Sequence, residues 1–129
     1  MRDGKPLILC VDDDQDLLDG LRVQLEARGY SVVTEHSGED GVRTALRDRP
    51  DLLVVDLMME EVDSGTRVAR DLRLHGFAAP IVLLTSVGDS FAVTADPEAM
   101  GLAAVLQKPV DPRVLDGVIR ARVARPRPA

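Results

Sequence analysis

Five side chains in this 129-residue chain have the types and the spacing to do chemistry together: Asp12, Asp13, Asp56, Thr85 and Lys108. Each stands at the end of a short apolar run. Asp12 and Asp13 follow residues 7–11, Asp56 follows 52–55, Thr85 follows 80–84 and Lys108 follows 103–107. Three carboxylates drawn to one place repel one another, and protonation is forced upward unless a cation intervenes. Oxygen-only ligands of this kind suit a hard divalent ion, and Mg2+ with several retained waters fits them best. An ammonium and a hydroxyl alongside supply what a phosphoryl group needs, positive charge and a donor for its oxygens.

The elements that must position these residues are legible from the hydropathy pattern. Leu7, Ile8, Leu9, Cys10 and Val11 read as a strand buried on both faces. A helix should follow, capped by Asp14, striped by Leu18, Leu21 and Leu25, and ended by Gly29. Residues 30–34 form a more polar strand, nearer a sheet edge. Ser37 caps a second helix carrying Val42, Ala45 and Leu46, which stops before Pro50. Val68, Ala69 and Leu72 mark a third helix closed by Gly76. The last helix begins at Asp111-Pro112, a cap followed by a proline in the first turn, and buries Leu115, Val118, Ile119 and Val123. Between 87 and 101 the apolar residues fit no clean stripe and Pro97 cannot lie inside a helix, so a loop with a short helix is expected there. Strands alternating with helices imply right-handed crossovers. The expected fold is a doubly wound, five-stranded parallel α/β sheet with helices on both faces, in which function gathers at the carboxyl ends of the strands.

Composition narrows the function classes. A net charge of −6 argues against a general nucleic-acid-binding surface. One cysteine, Cys10, excludes an internal disulfide and any multi-cysteine metal site. One Tyr, two Phe and no Trp leave no base-stacking platform. No apolar run reaches the length of a membrane span and the first six residues do not form a signal peptide, so a cytoplasmic domain without membrane insertion is expected.

The site residues, separated by 43, 29 and 23 positions from Asp13 through Asp56 and Thr85 to Lys108, together resemble a response-regulator receiver domain of two-component signalling. The resemblance covers about residues 6–124, leaving 125–129 as a disordered tail. It implies the flavodoxin-like strand order 2-1-3-4-5. It implies Asp56 as phosphoacceptor, attacking a phosphohistidine on a sensor histidine kinase or phosphotransfer protein. It further implies Mg2+ held by Asp12, Asp13, Asp56 and the backbone carbonyl of Met58. Thr85 would hydrogen-bond a phosphoryl oxygen, and Lys108 would pair with Asp56 and then with the phosphoryl group. The Lys108-Pro109 bond is expected to be cis. On this reading the chain is no enzyme beyond its own phosphorylation and dephosphorylation, and it relays its state to a downstream protein by contact.

Several positions depart from the family pattern. Glu60 stands where many members have proline, Ser64 precedes the glycine at Gly65, and Val105 replaces an aromatic switch residue. Met58 and Val87, two residues after Asp56 and Thr85, cannot orient an attacking water and predict slow self-dephosphorylation. The alternative reading is a pseudo-receiver, a constitutive interaction module that keeps the fold without phosphorylation; Glu60, Ser64 and Val105 support it, and the complete set of five residues opposes it. A small phosphatase of the same fold would want a second carboxylate where Met58 stands. Among the remaining polar residues, Asp14 is expected to cap, Asp16 and Asp63 to be solvated or capping, and Cys10 to be core. His36 and His75 are given no role and no partner.

Overall fold

The protein is described by a computed structural model over residues 1–57, 64–86 and 101–123. The expectations for Met58, for the 87–100 stretch and for the 125–129 tail fall outside the described residues. The elements run β1 (Leu7–Val11), α1 (Gln15–Ala27), β2 (Ser31–Glu35), α2 (Gly38–Asp48), β3 (Leu52–Asp56), α3 (Ser64–Leu74), β4 (Ile81–Thr85), β5 (Ala104–Gln107) and α4 (Pro112–Arg122).

All strand pairings are parallel, as the alternating pattern predicts, and the sheet order is β2-β1-β3-β4-β5, as the family resemblance implies. The three central strands are buried at every residue, which is why each is apolar up to its carboxyl end. The two edge strands, β2 and β5, are only half-buried. Side-chain alternation splits the core in two. Ile8 and Cys10 face α1 and α4, packing with Leu18, Leu25, Leu115 and Ile119. Leu9 and Val11 face α2 and α3, packing with Ala45, Val68 and Leu72.

The helix ends fall where the side chains dictate. Asp14 accepts from the Leu17 N–H at 3.2 Å, Ser37 from Asp40 at 3.2 Å and Asp111 from Arg113 at 2.9 Å. Beyond α3 the chain turns at Gly76 with φ +82°, a conformation that costs glycine little. Three readings are corrected. The buried stripe of α2 is centred on Gly41, Thr44 and Ala45, with Val42 and Leu46 only partly buried. Small residues let α2 lie close on β1: a Cβ added at Gly41 would stand 2.7 Å from a Val11 methyl. The buried Thr44 hydroxyl donates to the Glu35 carboxylate, so the polar group is satisfied. Tyr30 lies before β2 rather than in it. Its ring is buried and its hydroxyl donates to Asp116 on α4. His75 also gains a partner: its Nδ1 lies 2.8 Å from the Asp71 carbonyl one turn back.

Cys10 is core, 1% exposed. Burial pushes its thiol up to about 12, with Arg22 opposing slightly and Asp12 adding to the rise. Two results follow. Native protein at neutral pH should resist a thiol-alkylating reagent, reacting only at the rate of opening; labelling as fast as a free thiol would contradict the packing. The folded state holds this proton more tightly than the unfolded state. Its contribution is therefore intact below pH 9 and lost as pH rises from about 9 towards 12, and Cys10→Ala should flatten that part of the stability profile. No helix among the described residues is long and apolar enough to cross a membrane.

Candidate functional site

Strand register assembles the site. Val11 pairs with Val55, so Asp12 and Asp56, each the next residue along, come level at the carboxyl edge of the sheet. Asp56 pairs in turn with Leu84, and Thr85 with Gln107, which brings Thr85 and Lys108 to the same edge. Main-chain hydrogen bonds fix the strand exits: Leu57 N–H donates to Leu84 at 2.8 Å, Lys108 N–H to Thr85 at 2.7 Å and Asp12 N–H to Glu35 at 3.1 Å. All five residues singled out from the sequence thus meet at one edge.

One carboxylate oxygen from each of Asp12, Asp13 and Asp56 lies within 4.8 Å of the others. Asp12 and Asp56 are buried, while Asp13 is exposed at the mouth. Asp12 Oδ1 accepts from the Asp14 N–H at 2.9 Å, which orients its carboxylate. The other oxygen, Oδ2, has no aligned hydrogen-bond donor among the described residues, and its compensation is ionic: the Lys108 ammonium stands 2.9 Å away. The same Nζ lies 3.4 Å from Asp56 Oδ2. Thr85 is fully buried and its hydroxyl has no hydrogen-bond partner among the described residues. A buried, unsatisfied hydroxyl beside a cation and three carboxylates is costly unless a ligand completes it. The donor set, oxygen only and rich in carboxylate, fits a hard divalent cation. Lys108-Pro109 is cis, as expected.

The electrostatics favour the charged lysine. Burial pulls the Lys108 pKa down, but close contact with the carboxylates of Asp12 and Asp56 outweighs it, and the net shift is upward from the ordinary lysine value of 10.5. Its stabilising contribution is therefore fully present below the ordinary lysine range and disappears as pH climbs through the raised folded value. Replacing it by Lys108→Met leaves two buried carboxylates facing each other without a cation. The expected loss is about 1–2 kcal/mol at neutral pH, below the cost of breaking a fully desolvated pair because the lysine keeps part of its surface in water. Denaturant melts at pH 7 on Lys108→Met and Lys108→Arg check this; an equal loss in the arginine variant, which keeps the charge, would mean that packing, not charge, is responsible.

One contributor escaped the sequence reading. Gly65, noted there only for its position, sits in the first turn of α3 against the end of β3. Its N–H donates to the Leu57 carbonyl at 2.9 Å. A Cβ there would lie 2.3 Å from the Asp56 carbonyl oxygen and 2.8 Å from Leu57 Cα. The helix can approach the backbone of Asp56 this closely only because the side chain is absent. A glycine early in a helix, nine residues past a site strand, was the available signal.

A sheet of this order with such an edge defines a class, and comparison with known proteins agrees. The sequence profile of the response regulator receiver domain matches residues 8–120. The chain belongs to the response-regulator receiver family, the class whose members act in two-component systems. It is 38% identical over 120 residues to the transcriptional regulatory protein AfsQ1 of Streptomyces coelicolor, covering 93% of this chain and 52% of that protein. It is 33% identical over 118 residues to the alkaline phosphatase synthesis transcriptional regulatory protein PhoP of Bacillus subtilis, covering 92% and 48%. The chain therefore spans about half the length of these curated relatives. Among solved structures it superposes on a response regulator receiver domain protein from Clostridium thermocellum with a TM-score of 0.80 at 26% identity, covering 90% of this chain and 92% of the other.

Proposed function

We propose that this chain is a phosphorylatable receiver, roughly residues 6–124, that accepts a phosphoryl group on Asp56 from a histidine kinase or phosphotransfer protein. The observation that carries this reading is the carboxylate trio within 4.8 Å with one ammonium shared between its two buried members. Receiver domains bind Mg2+ at an acidic pocket, and here Asp12, Asp13 and Asp56 supply the carboxylates; the Met58 carbonyl, outside the described residues, completes the proposed set. The ion supplies charge neutralisation for an incoming phosphoryl group.

The chain's own residues do the rest. Asp56 offers a carboxylate oxygen as nucleophile; its bond to phosphorus forms as the phosphorus–nitrogen bond of the donor phosphohistidine breaks, and the freed imidazole takes up a proton. Lys108 releases Asp56 and turns its ammonium to a phosphoryl oxygen, while its contact with Asp12 holds it at the edge. The Thr85 hydroxyl donates to a second phosphoryl oxygen and so gains the partner it lacks. The work is positioning and charge compensation. The partners proposed are a kinase and a downstream protein, in the cytoplasm, with no direct nucleic-acid contact by this chain.

The test is intact-mass spectrometry after incubation with Mg2+ and a small acyl-phosphate donor. One added phosphoryl group that requires Mg2+ is expected. No adduct under conditions that label an ordinary receiver would favour the pseudo-receiver, for which Glu60, Ser64 and Val105 remain the sequence support.

A further inference from the structure

Most arginines of the described residues that make a side-chain contact meet a carboxylate: Arg2 pairs with Asp48, Arg43 with Asp40, Arg113 with Asp111 and Arg120 with Asp116. Arg73 and Arg122 differ. Among the described residues neither meets an acid, and both guanidiniums hydrogen-bond only to main-chain carbonyls. Arg73 Nη1 donates to Phe77 at 2.6 Å and to Ala79 at 2.9 Å, and its Nη2 to Gly101 at 3.1 Å. Arg122 Nη2 donates to Ala103 at 3.3 Å.

The two side chains thus converge from α3 and α4 on one three-residue stretch, 101–103, just ahead of β5. Both line a cleft of about 360 Å³ floored by Pro80, Gly101 and Ala103. This cleft lies at the amino ends of β4 and β5, whereas Thr85 and Lys108 lie at their carboxyl ends, roughly 13 Å away at about 3.3 Å per residue. Arg73 is half-buried, and burial lowers its pKa with no carboxylate offsetting the shift. A guanidinium carries five N–H donors. Among the described residues these bonds engage three of the donors of Arg73 and one of those of Arg122, leaving donors of both available to the cleft.

We propose that the Arg73–Arg122 cleft is an oxyanion-binding site, separate from the carboxylate edge, that takes a phosphate or carboxylate group between the two guanidiniums. The planar fork of arginine matches either oxyanion. Arg73, clamped to the chain on three sides, is the preorganised half, and the exposed Arg122 is the adaptable half.

The experiment is an NMR titration of the full chain with inorganic phosphate, without divalent metal and at constant ionic strength, against a chloride control and a parallel acetate arm. Saturable shifts of the amides at 101–103 with phosphate or acetate, and none with chloride, are expected; whichever arm saturates names the anion. In Arg122→Gln, exposed and so safe for folding, the apparent affinity should fall at least about tenfold, the loss of one charge-assisted pair, while Arg122→Lys retains part of it. Shifts confined to residues 12, 56, 85 and 108, a response equal to that of chloride, or an unchanged affinity in Arg122→Gln would each overturn the proposal. Failure here leaves the phosphoacceptor reading untouched, because that reading is tested at the other end of the sheet.

Discussion

Asp56→Asn should abolish phosphoryl incorporation outright, leaving no adduct by intact mass where the parent chain gains one, and should do so without unfolding the protein. The amide has nearly the shape of the carboxylate but neither its charge nor a nucleophilic oxygen anion, so covalent transfer has no acceptor. The stability side of the expectation is equally specific. Asp56 shares Lys108 with Asp12, the closer partner at 2.9 Å against 3.4 Å. Removing one of two buried like charges leaves the ammonium paired with the other. The variant should therefore melt at or above the parent temperature at neutral pH. Residual labelling in Asp56→Asn would place the acceptor on another side chain; a strongly destabilised variant would show that Asp56 serves packing more than charge.

Gly65→Ala is the second large effect, and it is steric. The new Cβ would meet main-chain atoms, the Asp56 carbonyl oxygen at 2.3 Å and its carbon at 2.9 Å, which have no rotamer to escape into. Either α3 lifts, weakening the 2.9 Å bond from Gly65 N–H to Leu57, or the end of β3 moves and takes Asp56 with it. Overpacking of this kind costs on the order of 2–3 kcal/mol, and phosphoryl incorporation should slow at least about tenfold because an ångström of misplacement degrades attack geometry. Gly20→Ala is the internal control. That glycine lies within α1 with nothing within 4 Å of an added Cβ, so alanine should stabilise by up to about 1 kcal/mol. Equal effects at the two positions would mean that helix propensity, not the close approach, governs both.

The contrast between those glycines shows what could be read in advance. Strand identity and the meeting of Asp12, Asp13, Asp56, Thr85 and Lys108 were legible, because burial on both faces writes an apolar run and a polar residue ends it abruptly; the strand order came only with the family resemblance. Caps were legible too: Asp14, Ser37 and Asp111 each have a short polar side chain suited to an N-cap. Close approaches were not. Gly41 and Gly65 resemble Gly20 in sequence, and only the distance from α2 to Val11 or from α3 to the Asp56 backbone separates them. The stripe of α2 was misplaced for the same reason, since Thr44 hides its hydroxyl against Glu35 in a way that polarity alone does not foretell. Arg73 likewise reads as one more surface cation until its three carbonyl partners are seen.

The sheet order has a consequence for how the chain is made. With β1 between β2 and β3, the first 57 residues can already form a three-strand unit, and that unit contains Asp12, Asp13 and Asp56 but neither Thr85 nor Lys108. During synthesis from the amino end, the acidic edge is therefore complete some fifty residues before its compensating cation emerges. Until then mutual repulsion opposes settling of that edge, and a divalent ion or a proton is what can relieve it. Arrival of β5 with Lys108 adds the last strand and supplies the counter-charge in the same step, which ties completion of the fold to completion of the site.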